Sequence, residues 1–246
     1  MPAKEFEAQY KNYLSNFNSW DQKEHAEDWL LFPENADVSS ILLKIPLEKR
    51  VVVKEVTLDM SNAMDSTIRK SFPNATIVTD RFHVQQLISE AVQEIRIALR
   101  RGTTKEENKR QLLARSNYLL FKPENRWHEQ QKERADILFK EFPILKHAYN
   151  LAMNFRSVYE QSKTIDEAKK KLELWYEKIE TENIEAFLIP TETIRLHEAT
   201  ILNYFINRST NASAESFNAK LKGFRSLVRG VIDKKFFLFR IAKLYA

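Results

Sequence analysis

Two short β-branched runs separated by a helical pattern constrain the fold of this chain more than any other feature. The first reads RVVVKEVTLD at 50–59 and the second reads TIVTD at 76–80. Between them the apolar residues recur at helical spacing, and the pattern stops at Pro73. The stretch therefore predicts a β-α-β unit, with Asp59 and Asp80 at the carboxyl ends of its two strands.

The rest of the chain predicts helices. Only 3 glycines and 7 prolines occur in 246 residues, which leaves few sites for the tight turns of an all-β fold. Apolar positions from Val84 to Leu99 fit a long amphipathic helix ending near Gly102, and helical patterns continue to about residue 206. Residues 6–17 predict a further helix. The fold class is therefore α/β and predominantly helical, with a large all-α block.

Cysteine usage and hydropathy restrict the compartment. The chain has no cysteine, which excludes disulfide scaffolds, thiol catalysis and cysteine-bound zinc. No apolar run approaches the length of a membrane span, and the N-terminus lacks the apolar region of a signal peptide. We expect a soluble cytoplasmic protein with no membrane partner.

Positive charge is concentrated at the C-terminal end. Residues 202–246 carry nine Lys and Arg against two acids, Glu215 and Asp233, whereas residues 1–80 are net negative. The cations alternate with phenylalanines, a composition typical of a surface that binds a polyanion. The alternative interpretation is a solvated helix face.

Asp59 and Asp80 each have two interpretations. Open α/β sheets place functional groups at the carboxyl ends of their strands, as predicted for both residues. An aspartate after a strand is also a common helix N-cap, and Asp59 lies close enough to the next helix to cap it. Spacing alone does not choose between the two.

Glu215 lies on a predicted helix whose face is otherwise polar and basic. Glu215, Asn218, Lys222 and Arg225 are spaced i, i+3, i+7 and i+10, so a helix places them on one face. A single carboxylate among amides and cations suits a site that holds a divalent metal and a phosphodiester together. An ion pair between Glu215 and nearby cations is the structural alternative.

Two segments carry a family resemblance. VTLDMSNAMDSTIRKSFPNATIVTDRFHV at 56–84 and STNASAESFNAKLKGFRS at 209–226 resemble the DDE transposases of bacterial insertion sequences, in particular the ISL3-type group related to Mutator-like transposases. The resemblance covers nearly the whole chain. It rests on the order and spacing of five elements, which are an N-terminal helix, an aspartate-ended strand, an Asp-x-x-His element, a helical insertion and a glutamate-bearing helix.

This resemblance implies an RNase H-like fold whose acidic groups hold two Mg²⁺ or Mn²⁺ ions, and a chemistry of DNA strand cleavage and joining. Asp59 and Glu215 correspond to the second and third acids of the family, and are thus the implied metal ligands. Asp80 and His83 match a second motif beside the site. The candidate contacts to transposon-end DNA are Asn218, Lys220, Lys222, Arg225, Arg229 and Lys235.

The element that carries the first acid of the family is missing from this sequence. The acidic stretch ending at Asn35 runs almost directly into residues 39–46, which leaves no room for three strands. We therefore expect a truncated RNase H-like core, in which Asp37 is the only nearby acid able to replace the missing one. The first strand would also lack its usual neighbour, so a helix, a second copy of the chain or another protein is expected to cover its edge.

The sequence thus predicts four regions and leaves the activity open. The regions are an N-terminal helical segment at 1–38, a partial RNase H-like core at 39–101, a helical insertion at 102–206, and the glutamate-bearing helix with the basic tail at 207–246. One hypothesis is an insertion-sequence transposase dependent on Mg²⁺ or Mn²⁺. The others are a remnant that binds DNA without cutting it, inactivated by loss of the first acid, and a helical scaffold with an incidental basic tail.

The sequence also bears on the partners of the protein and on three aromatic residues of the helical insertion. No DNA-reading module is visible near the N-terminus, so recognition of the transposon ends is expected to come from the basic tail, the segment at 81–134 or a separate end-recognition protein. A homo-oligomer is the other expected partner. A bacterial, nucleoid-associated location in the cytoplasm follows from DNA as a partner. Trp127, Trp175 and Tyr176 in the helical insertion have two interpretations, stacking on flipped bases and, more commonly, burial in the core.

Overall fold

The computed structural model describes residues 38–103, 106–209, 212–227 and 234–245. The side chains of residues 212–215, 234, 235, 238, 242 and 245 lie outside this description. The helix predicted at 6–17 and the substitute acid Asp37 also fall outside the described residues.

The predicted β-α-β unit is present. Strand β1 (Glu55–Leu58) and strand β2 (Thr76–Thr79) form a two-stranded parallel sheet. Glu55 pairs with Thr76 and Leu58 with Thr79. Parallel strands require a crossover connection, and a helix of ten residues, Asn62–Ser71, provides it.

The first strand is shorter than its β-branched run. Residues 51–53 are not strand, because they form the turn that follows a short helix at Leu47–Arg50. Side chains hold this turn: the Asn74 amide donates to the Val51 carbonyl over 2.9 Å, and Arg50 Nε donates to the Ile45 carbonyl over 2.8 Å. Tertiary contacts here override the β propensity of three consecutive valines.

Helices make up nearly all the remaining described chain. In chain order they are α1 (Val38–Leu42), α2 (Leu47–Arg50), α3 (Asn62–Ser71), α4 (Arg81–Gly102), α5 (Glu107–Ala114), α6 (Asn117–Leu120), α7 (Glu129–Glu141), α8 (Pro143–Gln161), α9 (Ile165–Glu182), α10 (Leu188–Leu196), α11 (Glu198–Leu202), α12 (Tyr204–Asn207), α13 (Ala212–Leu227) and α14 (Lys234–Tyr245). Short 3-10 turns lie at Glu124–Arg126 and Glu185–Phe187. The prediction of a mostly helical α/β chain is confirmed.

Local signals set the ends of α9. Thr164 precedes the helix, and its hydroxyl accepts a hydrogen bond from the Glu167 N–H over 3.2 Å, which satisfies one of the unpaired donors of the first turn. At the other end Asn183 adopts a left-handed conformation with φ of 43°, one of the few side chains that tolerate it. The helix therefore begins and ends where its sequence encodes a cap.

The described chain divides into two compact units. One unit comprises residues 38–54, 66–75 and the two C-terminal helices α13 and α14; the other comprises residues 55–65 and 76–209. In the first unit the rings of Phe224 and Phe237 stack with centroids 5.7 Å apart, which joins α13 to α14.

The second unit contains a continuous apolar core. Helix α8 packs against α4 and α9, and side chains such as Val84, Phe155 and Leu172 are almost completely buried. Trp127 and Trp175 belong to this core, and their indole N–H groups donate to the carbonyls of Leu119 and Leu151. Tyr176 is also buried, so burial is the correct interpretation of these three aromatic residues, and none is available to stack on a base.

No helix in the described part of the chain combines the length and the apolar character needed to span a bilayer.

Candidate active site

The two aspartates predicted at strand ends occupy neighbouring positions. Leu58 and Thr79 are paired across the sheet, and Asp59 and Asp80 are the next residues of β1 and β2. The Asp80 N–H donates to the Leu58 carbonyl over 2.6 Å, which extends the ladder by one residue. Adjacent strands are about 4.8 Å apart, so both aspartates emerge at the same carboxyl edge of the sheet.

Asp59 is exposed to solvent. Its Oδ1 atom accepts a hydrogen bond from the Ser61 N–H over 3.1 Å, and its Oδ2 atom bonds to no described residue. Ser61 rather than Asp59 takes the capping position of α3, because its hydroxyl accepts a long hydrogen bond of 3.5 Å from the Met64 N–H. Asp59 therefore presents one free carboxylate oxygen at the edge of the sheet.

Asp80 is buried, with only 2% of its side chain exposed. It is the residue before α4, yet its side chain accepts no hydrogen bond from the backbone N–H groups of the first turn of that helix. Instead His83 Nδ1 donates to Asp80 Oδ2 over 2.8 Å. The carboxylate therefore holds the imidazole rather than the helix terminus.

This hydrogen bond fixes both the orientation and the tautomer of His83. An ionised carboxylate only accepts hydrogen bonds, so the proton of a neutral imidazole must lie on Nδ1. Nε2 is then the lone-pair nitrogen, and it bonds to no described residue. The His83 side chain is 43% exposed, so Nε2 is available for a proton or a phosphate oxygen.

Arg81 lies between the two members of this pair in sequence and contacts the helical block. Its Nη1 atom is 3.5 Å from the Tyr204 hydroxyl, and its guanidinium lies over the Tyr159 ring at 5.3 Å. Its distance to Glu160 Oε1 is 3.8 Å, whereas Arg156 Nε lies 2.7 Å from the same oxygen. Arg81 thus has several partners, all at long range.

Tyr159 is almost completely buried and lies under the Arg81 guanidinium. Its hydroxyl is buried and forms no hydrogen bond with any described residue. Burial raises the pKa of Tyr159 far above its usual value; the charge of Arg81 acts in the opposite direction, and nearby Tyr204 and Asp80 raise the pKa further. The phenol therefore stays neutral at every physiological pH.

Two side chains from the helical block hold β2 from its outer side. The Asn203 amide donates to the Ile77 carbonyl over 2.8 Å, and the hydroxyls of Thr79 and Thr200 are 2.7 Å apart. These contacts join residues more than 120 positions apart in the chain. The helical block therefore fixes the strand that ends in Asp80.

Sequence reasoning missed the groups that support Asp80. They are Arg81, Tyr159, Glu160, Thr200, Asn203 and Tyr204. Their residue types and their spacing in the sequence do not identify the strand that they contact.

The helix required by the spacing of Glu215 is present as α13. Of the predicted DNA contacts, Asn218, Lys220, Lys222 and Arg225 lie on this helix with exposed side chains. Glu215 also lies on α13, but its side chain is outside the described part. The same holds for the side chain of Lys235 on α14, and Arg229 falls between the described segments.

The described side chains alone do not form a divalent-metal site. Mg²⁺ and Mn²⁺ favour several oxygen ligands, and no three acidic or histidine side chains converge in the part of the chain that the structure describes. Asp59 fits the chemistry because it has a free carboxylate oxygen. Asp80 fits less well because it is buried and already bonded to His83.

A surface cavity of about 660 Å³ lies elsewhere on the second unit. Lys109 at this cavity is bound to Glu106 at 2.8 Å and to Glu141 at 3.1 Å, so the charges there satisfy one another. None of the predicted site residues lines it; the lining residues are Glu106, Glu107, Asn108, Lys109, Leu112, Ile137 and Glu141. The cavity is therefore separate from the strand ends.

Comparison with known proteins agrees with the class indicated by these elements. The model of the ISL3-type transposase family, described as "Transposase", matches residues 6–241. The chain therefore belongs to the ISL3-type transposase family.

A curated relative adds a more distant similarity. The "Transposase for insertion sequence element IS1001" of Bordetella parapertussis is 23% identical over 190 residues, which are 77% of this chain and 47% of that protein. The chain thus spans about half the length of the curated relative it matches. No solved structure matches the chain.

Proposed function

We propose that the protein is the transposase of an insertion sequence and that it cleaves and joins DNA strands at transposon ends. The observation that carries this proposal is the family match over residues 6–241, which includes both strand ends and the glutamate-bearing helix. The similarity to the IS1001 transposase supports the same class. In the proposed reaction the oxygen of water or of a terminal hydroxyl attacks the phosphorus of a backbone phosphate. A new P–O bond forms, and the bond from that phosphorus to one of its two bridging oxygens breaks.

The proposed roles follow the resemblance to the family. Asp59 and Glu215 are the proposed ligands of Mg²⁺ or Mn²⁺, and the free Oδ2 of Asp59 supports the first assignment. Asp80 and His83 are proposed to act beside them, with Nε2 of His83 exchanging a proton or contacting a phosphate. An RNase H-like core, truncated at its first strand, is proposed as the frame of this site.

DNA binding is proposed for α13 and the basic tail. Exposed cations on a helix face neutralise phosphates and release counterions, so binding should weaken steeply with salt. The proposed contacts are Asn218, Lys220, Lys222, Arg225, Arg229 and Lys235. A second copy of the chain or a separate end-recognition protein is proposed to supply end specificity, and the complex is proposed to work on the bacterial nucleoid.

A second candidate function is DNA binding without cleavage. It is favoured by one observation: the sequence lacks the element that carries the first acid of the family, because the stretch ending at Asn35 runs almost directly into residues 39–46. In this case the protein occupies transposon ends and regulates an active relative.

One experiment separates the two functions. A labelled duplex carrying the ends of the element is incubated with the protein and Mn²⁺, and nicked product is measured for the wild type, Asp59→Asn and Glu215→Gln. Asp136→Asn, an exposed aspartate on α7, is the matched control. The transposase proposal expects nicking by the wild type and the control, and loss in both site variants.

A binding titration on the same duplex completes the experiment. All four proteins should bind the DNA if the basic tail carries affinity. Binding by the wild type without any Mn²⁺-dependent nicking overturns the proposal of catalysis and supports the second function. Nicking that survives both substitutions shows that these carboxylates are not the ligands.

A further inference from the structure

Phe82 is an exposed aromatic residue in the first turn of α4, directly beside the Asp80–His83 pair. Its side chain is 59% exposed. Residues two positions apart on an α-helix lie about 200° apart around its axis. Phe82 therefore faces away from Val84, which is fully buried in the core. Phe82 therefore contributes little to the core on which α4 packs.

The ring of Phe82 is held against the imidazole of His83. The two centroids are 5.8 Å apart with an interplanar angle of 86°, an edge-to-face arrangement. Because Asp80 fixes the orientation of His83, the imidazole is a defined neighbour on one side of the phenyl ring. Phe82 thus lies three residues after Thr79, the last residue of β2, and contacts the imidazole that Asp80 holds.

Arg81, the residue before Phe82, carries a cation at the start of the same helix. Arg81 is 27% exposed, and its ion pair with Glu160 is long because Arg156 takes the closer position on the same carboxylate oxygen. A phosphate is a stronger partner for a guanidinium than a carboxylate at 3.8 Å. Residues 81 and 82 thus offer a cation for a phosphate and an aromatic surface for the base attached to it.

We propose that Phe82 is a stacking site for an unpaired nucleobase of the DNA strand that is processed beside Asp59 and Asp80. The proposal rests on the proposed function, since it takes DNA as the substrate. Single-strand binding sites combine cations with aromatic residues on which bases stack, with little preference for sequence. Phe82 holds an unstacked base next to the strand ends and so positions the backbone for the reaction.

Exposure alone does not distinguish Phe82 from other surface residues, because single exposed apolar residues are common. Tyr118 on α6 is more exposed, at 78%. Its neighbour Asn117 accepts a hydrogen bond from Gln93, which places this end of α6 beside the middle of α4. This is eleven residues, or about 16 Å, along α4 from Phe82. Tyr118 is therefore a matched control for an exposed aromatic away from the strand ends.

The test measures binding of a short oligothymidine and of the same oligonucleotide with abasic sites, by fluorescence anisotropy without added metal. We expect Phe82→Ala to weaken binding of the oligothymidine about ten-fold and to leave binding of the abasic oligonucleotide unchanged. Tyr118→Ala should bind both as the wild type does. Phe82→Trp should keep the affinity, and its additional emission should be quenched by the oligothymidine only.

Three results overturn the proposal: an unchanged affinity in Phe82→Ala, an equal loss on the abasic oligonucleotide, or an equal loss in Tyr118→Ala. Circular dichroism of each variant checks that the fold is retained, and Phe82→Trp gives an independent reading if Phe82→Ala unfolds. If the wild type cleaves DNA and Phe82→Ala keeps its affinity for the oligothymidine, stacking is rejected and the proposed function stands. If Phe82→Ala loses affinity for the oligothymidine and the wild type does not cleave DNA, catalysis is rejected and the stacking proposal stands.

Discussion

Asp80 and His83 form a hydrogen bond of 2.8 Å in which the carboxylate is 2% exposed and the imidazole is 43% exposed. The buried carboxylate orients the exposed imidazole, because it accepts a hydrogen bond from Nδ1–H. In the neutral ring Nε2 is then the nitrogen that carries a lone pair. Histidines that ligate metals or move protons are commonly held in this way by a neighbouring carboxylate. The relationship places a defined lone pair at the end of β2.

Asp80→Asn should destabilise the protein. The substitution removes the negative charge from a hydrogen bond to His83, and hydrogen bonds to charged groups contribute about 1.5–3 kcal/mol. An amide oxygen still accepts a hydrogen bond, so we expect the free energy of unfolding to fall by about 1–2 kcal/mol. Urea denaturation monitored by circular dichroism measures this change.

The control for this prediction is Asp136→Asn, which removes a charge from an exposed position on α7. It should change the free energy of unfolding by less than about 0.5 kcal/mol. An increase in stability of Asp80→Asn would contradict the prediction and show that burial of the carboxylate costs more than its bond to His83 contributes.

Two buried tyrosines should respond differently to loss of the hydroxyl. The Tyr159 hydroxyl bonds to no described residue, whereas the Tyr176 hydroxyl donates to Glu198 Oε2 over 3.0 Å. Tyr159→Phe should therefore be nearly neutral, and Tyr176→Phe should cost about 1–2 kcal/mol of unfolding free energy. Equal losses in the two variants would show that the Tyr159 hydroxyl has a partner.

The same two tyrosines predict how stability depends on alkaline pH. Burial raises the pKa of Tyr159 and Tyr176 above the usual value, which is about 10 in an unfolded chain. Above that pH the unfolded state loses protons that the folded state keeps, so stability should fall as the pH rises through about 10. Below it both states are protonated, and the contribution is fully present.

Denaturation at neutral and alkaline pH measures this dependence. Each Phe variant removes one of the tyrosines, so each should flatten the loss of stability above about pH 10. An unaltered slope in both variants would show that other groups cause the alkaline loss.

Arg50 should stabilise the first unit through two hydrogen bonds. Its Nε atom donates to the Ile45 carbonyl over 2.8 Å, and its Nη1 atom donates to the Ser71 carbonyl, at the end of α3, over 2.6 Å. Arg50→Ala should lower the free energy of unfolding by about 1–3 kcal/mol. Arg50→Lys should restore only part of the loss, because an ammonium lacks the planar fork.

Lys49→Ala is the comparison for Arg50, since Lys49 is the exposed neighbour on α2. Its effect on urea denaturation should stay within about 0.5 kcal/mol. If Arg50→Lys matched the wild type, the positive charge rather than the fork would carry the stabilisation.

Lys222 and Arg225 should determine part of the salt dependence of DNA binding. Both are exposed on α13, and each phosphate contact contributes about 0.9 to the slope of log affinity against log salt. Replacing both by alanine should reduce the slope by about 1.8. The measurement is a series of anisotropy titrations on one duplex at several salt concentrations.

A matched double variant is available on α9, where Lys169 and Lys170 are exposed. Replacing these two by alanine removes the same charge from the other unit and should leave the slope unchanged. Equal reductions in the two double variants would indicate that net charge, rather than a contact surface on α13, governs the affinity.

The elements of this fold were predictable from sequence where the pattern was local. The long helix from Arg81 to Gly102 follows from its apolar spacing, and the position of Asp59 and Asp80 follows from two β-branched runs that each end in aspartate. The prediction that residues 51–53 belong to a strand is wrong. Asn74 donates to the Val51 carbonyl and Arg50 donates to the Ile45 carbonyl, and these contacts hold the stretch in a turn.

The surroundings of the strand ends were not predictable in the same way. Asn203 contacts Ile77 across 126 positions, and Arg81 approaches Tyr204 across 123. Such contacts depend on how the helical block folds back onto β2, and no periodicity in a single sequence encodes that. The role of Glu215 stays a prediction, since its side chain is outside the described residues.

The amide of Asn203 has a consequence for how this sheet is completed. Because the Asp80 N–H points towards β1, alternation along the strand directs the Ile77 carbonyl to the opposite edge, where Asn203 occupies it. On the outer side of β1, the backbone of Thr57 hydrogen-bonds to no described residue. The helical block therefore covers the outer edge of β2, and a strand that joined this sheet at β1, from this chain or another, would have one of its ends beside Asp59.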